Sequence, residues 1–162
     1  MDTAEGVRPA LLLLALLALG GMAWIRLAPS DPARWNVRDG RFQEGRRIIA
    51  GPGRGDSVEQ DADGARGISR LYPDTPAELL HRLDLVALST PRTARLAGSP
   101  EAGLMTWITR SAIFGFPDYT TAEVRESDRG AAVLLFARQR FGRKDFGVNA
   151  ARLGDWLARL GR

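Results

Sequence analysis

The sequence contains no cysteine and a single histidine, His81. The absence of cysteine excludes a disulfide framework, a thiol nucleophile and a zinc–thiolate site. A lone histidine without a paired set of acidic residues does not form a metal-binding pattern. Ser111 has no histidine partner with which to form a nucleophile–base pair. We therefore expect a protein that is not an enzyme, with no metal and no cofactor.

Lysine is also nearly absent, since Lys144 is the one basic residue among 23 that is not an arginine. The net charge is +4 at neutral pH. Two explanations stay open: a compositional bias of the genome, or attraction of the arginines to anionic lipid headgroups. We expect no nucleic-acid partner.

One long uncharged run stands near the N-terminus. Residues 9–25 lie between Arg8 and Arg26 and contain mainly leucine and alanine, which are good helix formers. A helix needs about 17–25 apolar residues to cross a bilayer. Trp24 stands where an indole prefers the water–lipid interface, and Pro29 then ends the helix. We expect residues 1–28 to form a tail and a single-pass transmembrane anchor that contacts lipid through residues 9–28.

A cleaved signal peptide is the alternative to an anchor. Its apolar region spans about 7–15 residues and ends in a small-x-small site, whereas here the run is longer and Arg26 and Pro29 interrupt that site. Arginines beyond the helix favour a cytoplasmic domain, yet whole domains can be translocated regardless of charge. We expect a protein of the bacterial inner membrane and leave the periplasmic and cytoplasmic sides open.

Two regions follow the anchor. Residues 29–64 are rich in Gly, Pro, Asp and Arg, so we expect an extended linker that lies over the domain. Residues 65–162 carry the periodic apolar patterns of a folded domain.

The first helix of that domain has a clear start. Thr75 can cap the helix, Pro76 suits the first helical position, and Glu78 completes a capping box. An apolar stripe follows, formed by Leu79, Leu80, Leu83, Val86 and Ala87.

Turns at short intervals separate the strand candidates, which are 68–72, 93–97, 104–114, 119–127 and 131–141. The later connections are too short for crossover helices, so neighbouring strands are antiparallel. Residues 131–141 are apolar on both faces, as in a central strand. A last helix, capped by Asn149, buries Leu153, Trp156, Leu157 and Leu160. The predicted fold is α+β, a small antiparallel sheet of about five strands with two helices packed on one face.

Two segments carry a family signal: Arg110–Asp118 (RSAIFGFPD) and Phe136–Arg152 (FARQRFGRKDFGVNAAR). Together they resemble the signature of the bacterial domain-of-unknown-function family 1499. Residues 24–35 (WIRLAPSDPARW) resemble its membrane-anchored, alphaproteobacterial members. The resemblance implies an anchored small domain and supplies no activity.

Within these segments we identify a candidate structural or anion-binding cluster. Arg152 lies in the first turn of the last helix, where a cation needs a partner, so we expect it to pair with Asp145 or Asp118. A purely structural cluster would close the fold with caps and one ion pair. A functional cluster would bind an anion or headgroup through arginines and the helix N-terminus. Its members are Arg110, Asp118, Arg138, Arg140, Asp145, Asn149 and Arg152.

Two functions follow from this sequence. The first is a non-enzymatic accessory or interaction domain that binds an unidentified membrane protein near residues 142–149. The second is a binder of a hydrophobic ligand or lipid between the sheet and the C-terminal helix, which needs a pocket of about 300–1,000 Å³.

Overall fold

The computed structural model describes residues 3–42, 55–61, 64–142 and 145–162. Helix α1 (Thr3–Leu27) comes first, followed by a short helix α2 (Pro32–Trp35) and a 3-10 turn (Gly40–Phe42). Strands β1 (Ser57–Asp61) and β2 (Gly64–Ile68) precede helix α3 (Pro76–Leu88). Four strands and a helix complete the chain: β3 (Thr93–Ser99), β4 (Leu104–Arg110), β5 (Pro117–Ser127), β6 (Gly130–Gln139) and α4 (Val148–Leu160).

The strands form one antiparallel sheet in the order β1-β2-β6-β5-β4-β3. The prediction of an α+β fold is confirmed, but the sheet has six strands rather than five. The additional strand, β1, lies in the segment expected to be a linker. Its residues are polar apart from Val58 and mostly exposed, as in an edge strand.

Both α3 and α4 pack on the same face of the sheet. Their apolar stripes meet alternate residues of β4 and β6, and Trp107 packs edge-to-face on Trp156 with the ring centroids 5.5 Å apart. Both rings are fully buried. The interface between the sheet and α4 is therefore filled by side chains along this stretch of the helix.

Helix α3 begins as predicted. The Thr75 hydroxyl accepts the backbone N–H of Glu78, and the Glu78 carboxylate accepts the backbone N–H of Thr75. This capping box fixes the first turn.

Helix α4 begins differently from the prediction, which gave Asn149 as its cap. Gly147 occupies the cap position with φ 81°, and Asn149 lies inside the helix, fully buried. Asp145, two residues before the cap position, supplies the capping oxygens instead.

The opposite face of the sheet is covered by the segment that follows α1. The ring of Trp35 stacks on Tyr119 with a centroid distance of 3.7 Å, and its carbonyl oxygen accepts hydrogen bonds from Thr121 and Arg138. β6 is therefore covered on both faces, as its sequence predicts. Glu123 of β5 is buried on this face, and its carboxylate lies 2.7 Å from the guanidinium of Arg38 in the same segment.

Helix α1 makes few contacts with the rest of the protein. Its span Pro9–Leu27 is long and apolar enough to cross a membrane, and no part of it is buried inside the structure. A signal sequence near the N-terminus can meet the same two criteria, and the finding establishes an apolar N-terminal helix.

Candidate functional site

The β6–α4 corner brings together four of the seven predicted site residues. Asp118 is near the start of β5, Asp145 lies in the loop before α4, and Asn149 and Arg152 are in the first turns of α4. We call these four residues the corner cluster. Asp118 and Gln139 are directly opposed on β5 and β6, and both line the same cleft beside α4.

Asp145 closes the loop before α4. Its carboxylate accepts the backbone N–H of Gly147 at 2.9 Å and that of Asn149 at 3.1 Å. It also accepts the side-chain amide of Gln60, on β1, at 2.7 Å. A carboxylate that accepts the first N–H groups of a helix also complements the helix dipole. Asp145 therefore ties β1 to the start of α4.

Arg152 pairs with Asp118, one of the two partners that the sequence predicts. The guanidinium nitrogen lies 3.5 Å from the Asp118 carboxylate, and both side chains are largely buried. A second guanidinium nitrogen of Arg152 donates to the Asn149 side-chain oxygen. Within the described residues Arg152 is the cation that pairs with Asp118, so its removal would leave that buried carboxylate without this ion pair.

Burial dominates the electrostatics of this pair. Burial raises the pKa of the Asp118 carboxyl, the Arg152 guanidinium opposes that rise, and the nearby Asp145 carboxylate reinforces it. Burial likewise lowers the pKa of Arg152, while Asp118 and Asp145 oppose that change. Asp118 and Arg152 therefore share a poorly hydrated environment, in which the charge of each stabilises the charge of the other.

A cleft of about 520 Å³ opens beside the corner cluster. Asp118 and Asp145 lie at its polar side, and aromatic and aliphatic side chains form much of the rest. Phe146 stands at its edge with φ 51° and 89% of its surface exposed. The full lining is Ser111, Phe116, Asp118, Gln139, Phe141, Gly142, Asp145, Phe146 and Val148.

The remaining three predicted residues do not join the corner cluster. Arg138 donates to Trp35 and Thr121 on the other face of the sheet. Arg140 donates to the carbonyl oxygen of Pro29 at 2.8 Å and to the Tyr119 hydroxyl. Arg110 donates to the carbonyl oxygen of Gly115 at 3.1 Å. The first two arginines hold the segment after α1 against the sheet. Arg143 and Lys144, also in the motif, lie outside the described residues.

Arg110 belongs to a second opening, which the sequence did not predict. This groove of about 630 Å³ has Arg26, Arg92 and Arg110 among its lining residues. Arg26 comes from the end of α1 and lies against Gly115, where a Cβ atom would meet the Arg26 side chain at 2.7 Å. We call this second opening the arginine groove. Its remaining lining residues are Thr93, Ala94, Ile108, Ser111 and Gly115.

Residues that hold a metal are not grouped anywhere in the described part of the chain. His81 is exposed on α3, and the Ser111 hydroxyl accepts the backbone N–H of Phe116. The chemistry available in the corner cleft is therefore hydrogen bonding, charge pairing and apolar contact.

Comparison with known proteins places the chain in a family. A crystal structure of protein MLL2253 from Mesorhizobium loti matches with a TM-score of 0.44 and 12% identity, over 65% of this chain and 93% of that chain. No curated protein matches the chain. The family described as "Protein of unknown function (DUF1499)" matches residues 54–160, a stretch that runs from the start of the sheet to the last residue of α4. The chain therefore belongs to the DUF1499 family.

Proposed function

We propose that this protein is a non-enzymatic accessory domain that helix α1 anchors at the inner membrane of a bacterium. The observation that carries the proposal is the exposure of α1. The leucines at positions 11–19 are each about 60% exposed, and the span Pro9–Leu27 has no buried part. Apolar surface of this extent is covered by lipid in a membrane protein.

The connection between α1 and the sheet supports anchoring over a loose attachment. Only Ala28 and Pro29 separate the end of α1 from Ser30, whose hydroxyl lies 2.7 Å from that of Tyr119 on β5. Arg140 holds the Pro29 carbonyl oxygen. Because the chain is fixed to the sheet two residues after the helix, α1 and the domain are joined by a short connection.

The structural roles of the acidic residues support a non-enzymatic function. Asp145 uses its carboxylate to close the loop before α4, and Asp118 compensates a buried arginine. A catalytic carboxylate needs an oxygen that is free to meet a substrate or a water molecule, whereas both oxygens of Asp145 accept backbone N–H groups.

The test is membrane extraction of the full chain, followed by an intact-mass measurement. We expect a protein that keeps α1 and resists alkaline carbonate. The double variant Leu14→Arg/Leu17→Arg should be released, because each arginine costs about 3 kcal/mol at the centre of a bilayer. Leu14→Ala/Leu17→Ala is the matched control and should stay in the membrane. A soluble product that begins after Ala28 would refute anchoring and identify a signal sequence.

A second candidate function is the binding of an amphipathic ligand in the corner cleft. The cleft volume of about 520 Å³ falls in the range of small-molecule sites, and Phe116, Phe141 and Val148 give it an apolar wall. This site lies at the N-terminal end of α4, whereas the sequence predicted a ligand between the sheet and the helix.

Native mass spectrometry of the full chain in detergent tests this second function. A bound mass that disappears in Val148→Trp, which fills the cleft, would support it. Leu85→Trp is the matched control, because Leu85 and Val148 are equally exposed at 56% and Leu85 does not line the cleft. A bound mass that is unchanged in Val148→Trp would place the ligand elsewhere.

A further inference from the structure

The end of the sheet beside α1 carries exposed apolar side chains on two loops. Ile113 and Phe114, in the loop between β4 and β5, are 72% and 47% exposed, and Phe146, in the loop before α4, is 89% exposed. An aromatic row connects the loops: Phe114 stacks on Phe116 at 5.4 Å, and Phe116 meets Phe141 at 6.0 Å. We call Ile113, Phe114 and Phe146 the apolar rim.

The position of α1 fixes where this rim stands. Trp24 and Arg26, in the last turn of α1, are the residue types that mark a water–lipid interface. The Arg26 side chain lies directly against Gly115, which is adjacent to Phe114 in the same loop. If α1 spans the bilayer, the loop between β4 and β5 is therefore at the level of the lipid headgroups.

The charge of the arginine groove complements such a surface. Arg26, Arg92 and Arg110 line the groove, and none of its lining residues is acidic. Within the described ranges these three arginines form hydrogen bonds to carbonyl oxygens at most, and none has a carboxylate partner. Lipid phosphates bind well to guanidinium groups that keep free donors.

The conformation of Phe146 points the same way. Its φ of 51° is unfavourable for a bulky residue, and its ring is nevertheless almost wholly exposed. The buried Asp145 before it and Gly147 after it hold this backbone in place. An aromatic ring that is held out of the fold in this way is available for contact with a surface outside the domain.

From these observations we propose that the arginine groove binds the phosphates of anionic phospholipids while the apolar rim enters the bilayer interface. The proposal rests on the anchoring of α1 described above. It adds a second contact between the domain and the membrane, beside the helix itself.

The absence of cysteine from the chain makes a clean test possible. Single variants Ile113→Cys and Phe146→Cys, and the control Asp128→Cys in the turn at the far end of β5, are labelled with an environment-sensitive fluorophore. The full chain is placed in nanodiscs of phosphatidylcholine alone or mixed equally with phosphatidylglycerol. Nanodiscs leave both faces open to iodide, the aqueous quencher.

We expect labels at positions 113 and 146 to be shielded from iodide in the mixed nanodiscs and quenched by lipid-borne quenchers, and the label at 128 to be accessible. Arg92→Gln/Arg110→Gln should reduce the equilibrium constant for docking about fivefold for each arginine lost, since one basic residue near an anionic surface contributes about 1 kcal/mol. Arg129→Gln, in the turn that holds Asp128, is the matched control and should have no effect. Near-UV circular dichroism checks that each variant is folded.

Three results would overturn the proposal. If the labels at 113 and 146 are as accessible as the label at 128 in a chain that resists carbonate extraction, docking fails while anchoring stands. If shielding is the same without phosphatidylglycerol, recognition of the anionic headgroup fails. A chain that carbonate extracts would refute the anchoring on which both contacts depend.

Discussion

Replacement of Asp145 by alanine tests whether the corner cluster is structural. The substitution removes an acceptor for two backbone N–H groups at the start of α4, those of Gly147 and Asn149. Loss of a helix cap costs about 1 kcal/mol, and loss of a negative charge beside the helix N-terminus costs about 0.3–1 kcal/mol. The second backbone hydrogen bond is worth about 1 kcal/mol. Gln60 is exposed, so its amide returns to water at little cost.

We therefore expect Asp145→Ala to lower the free energy of unfolding by about 2–3 kcal/mol, which corresponds to roughly 6–15 °C in melting temperature. The assay is thermal unfolding of the full chain in detergent, and near-UV circular dichroism monitors the transition. Its signal reports the packing of Trp107 against Trp156, and α1 does not contain either ring.

Two controls accompany this measurement. Asp145→Asn keeps one acceptor oxygen and should lose about 1 kcal/mol. Asp155→Ala removes an exposed aspartate of α4 that pairs with Arg159, and exposed pairs contribute about 0–1 kcal/mol. A melting temperature for Asp145→Ala equal to that of the wild type would refute the reasoning. The carboxylate would then be available to a ligand. That result would favour the interpretation of the corner cluster as a binding site over a purely structural role.

Two further predictions concern the rest of the fold. Burial raises the pKa of Asp84, but hydrogen bonds from Arg95 and Trp107 outweigh it, so the pKa is lowered overall. The stabilisation from Asp84 is then present above the ordinary aspartate pKa and lost as pH falls through the lower folded value. Urea titrations at several acidic pH values should show that the free energy of unfolding falls with pH in the wild type. The free energy of unfolding of Asp84→Asn should depend less on pH. Trp35→Ala should destabilise the domain by about 3 kcal/mol and expose residues 28–42 to limited proteolysis, whereas Arg34→Ala, at an exposed neighbouring position, should do neither.

The elements that the sequence predicted are those with a strong apolar period. The stripes of α3 and α4 and the two-sided pattern of β6 identify buried surfaces directly, since few other arrangements cover them. β1 was missed because Ser57–Asp61 contains a single apolar residue, and an edge strand needs no apolar face. The backbone hydrogen bonds that create such a strand come from its partner, β2, and leave little trace in the sequence.

The candidate site was predictable in part for a similar reason. The ion pair of Arg152 follows from a local rule about cations at a helix N-terminus. The sequence analysis grouped Arg110, Arg138 and Arg140 with the start of α4, and this part of the prediction was wrong. The sequence does not show which face of the sheet α4 covers. Residues 138 and 140 alternate with Gln139, which lines the corner cleft, so they point to the other face. Only the packing of α4 on the face of residue 139 decides between the two faces.

The segment after α1 explains how the two parts of the molecule constrain each other. A flexible linker at this point would let the domain rotate freely beside the membrane. Here Ser30 and Trp35 are fixed to Tyr119, so only Ala28 and Pro29 are left to absorb a rotation of the domain relative to α1. With α1 in a bilayer, this short connection keeps the apolar rim near the membrane surface, and the turn at Asp128 lies at the far end of β5. A water-soluble partner would therefore reach the far end of the sheet more easily than the rim, and a partner for the corner cleft would have to approach along the membrane surface.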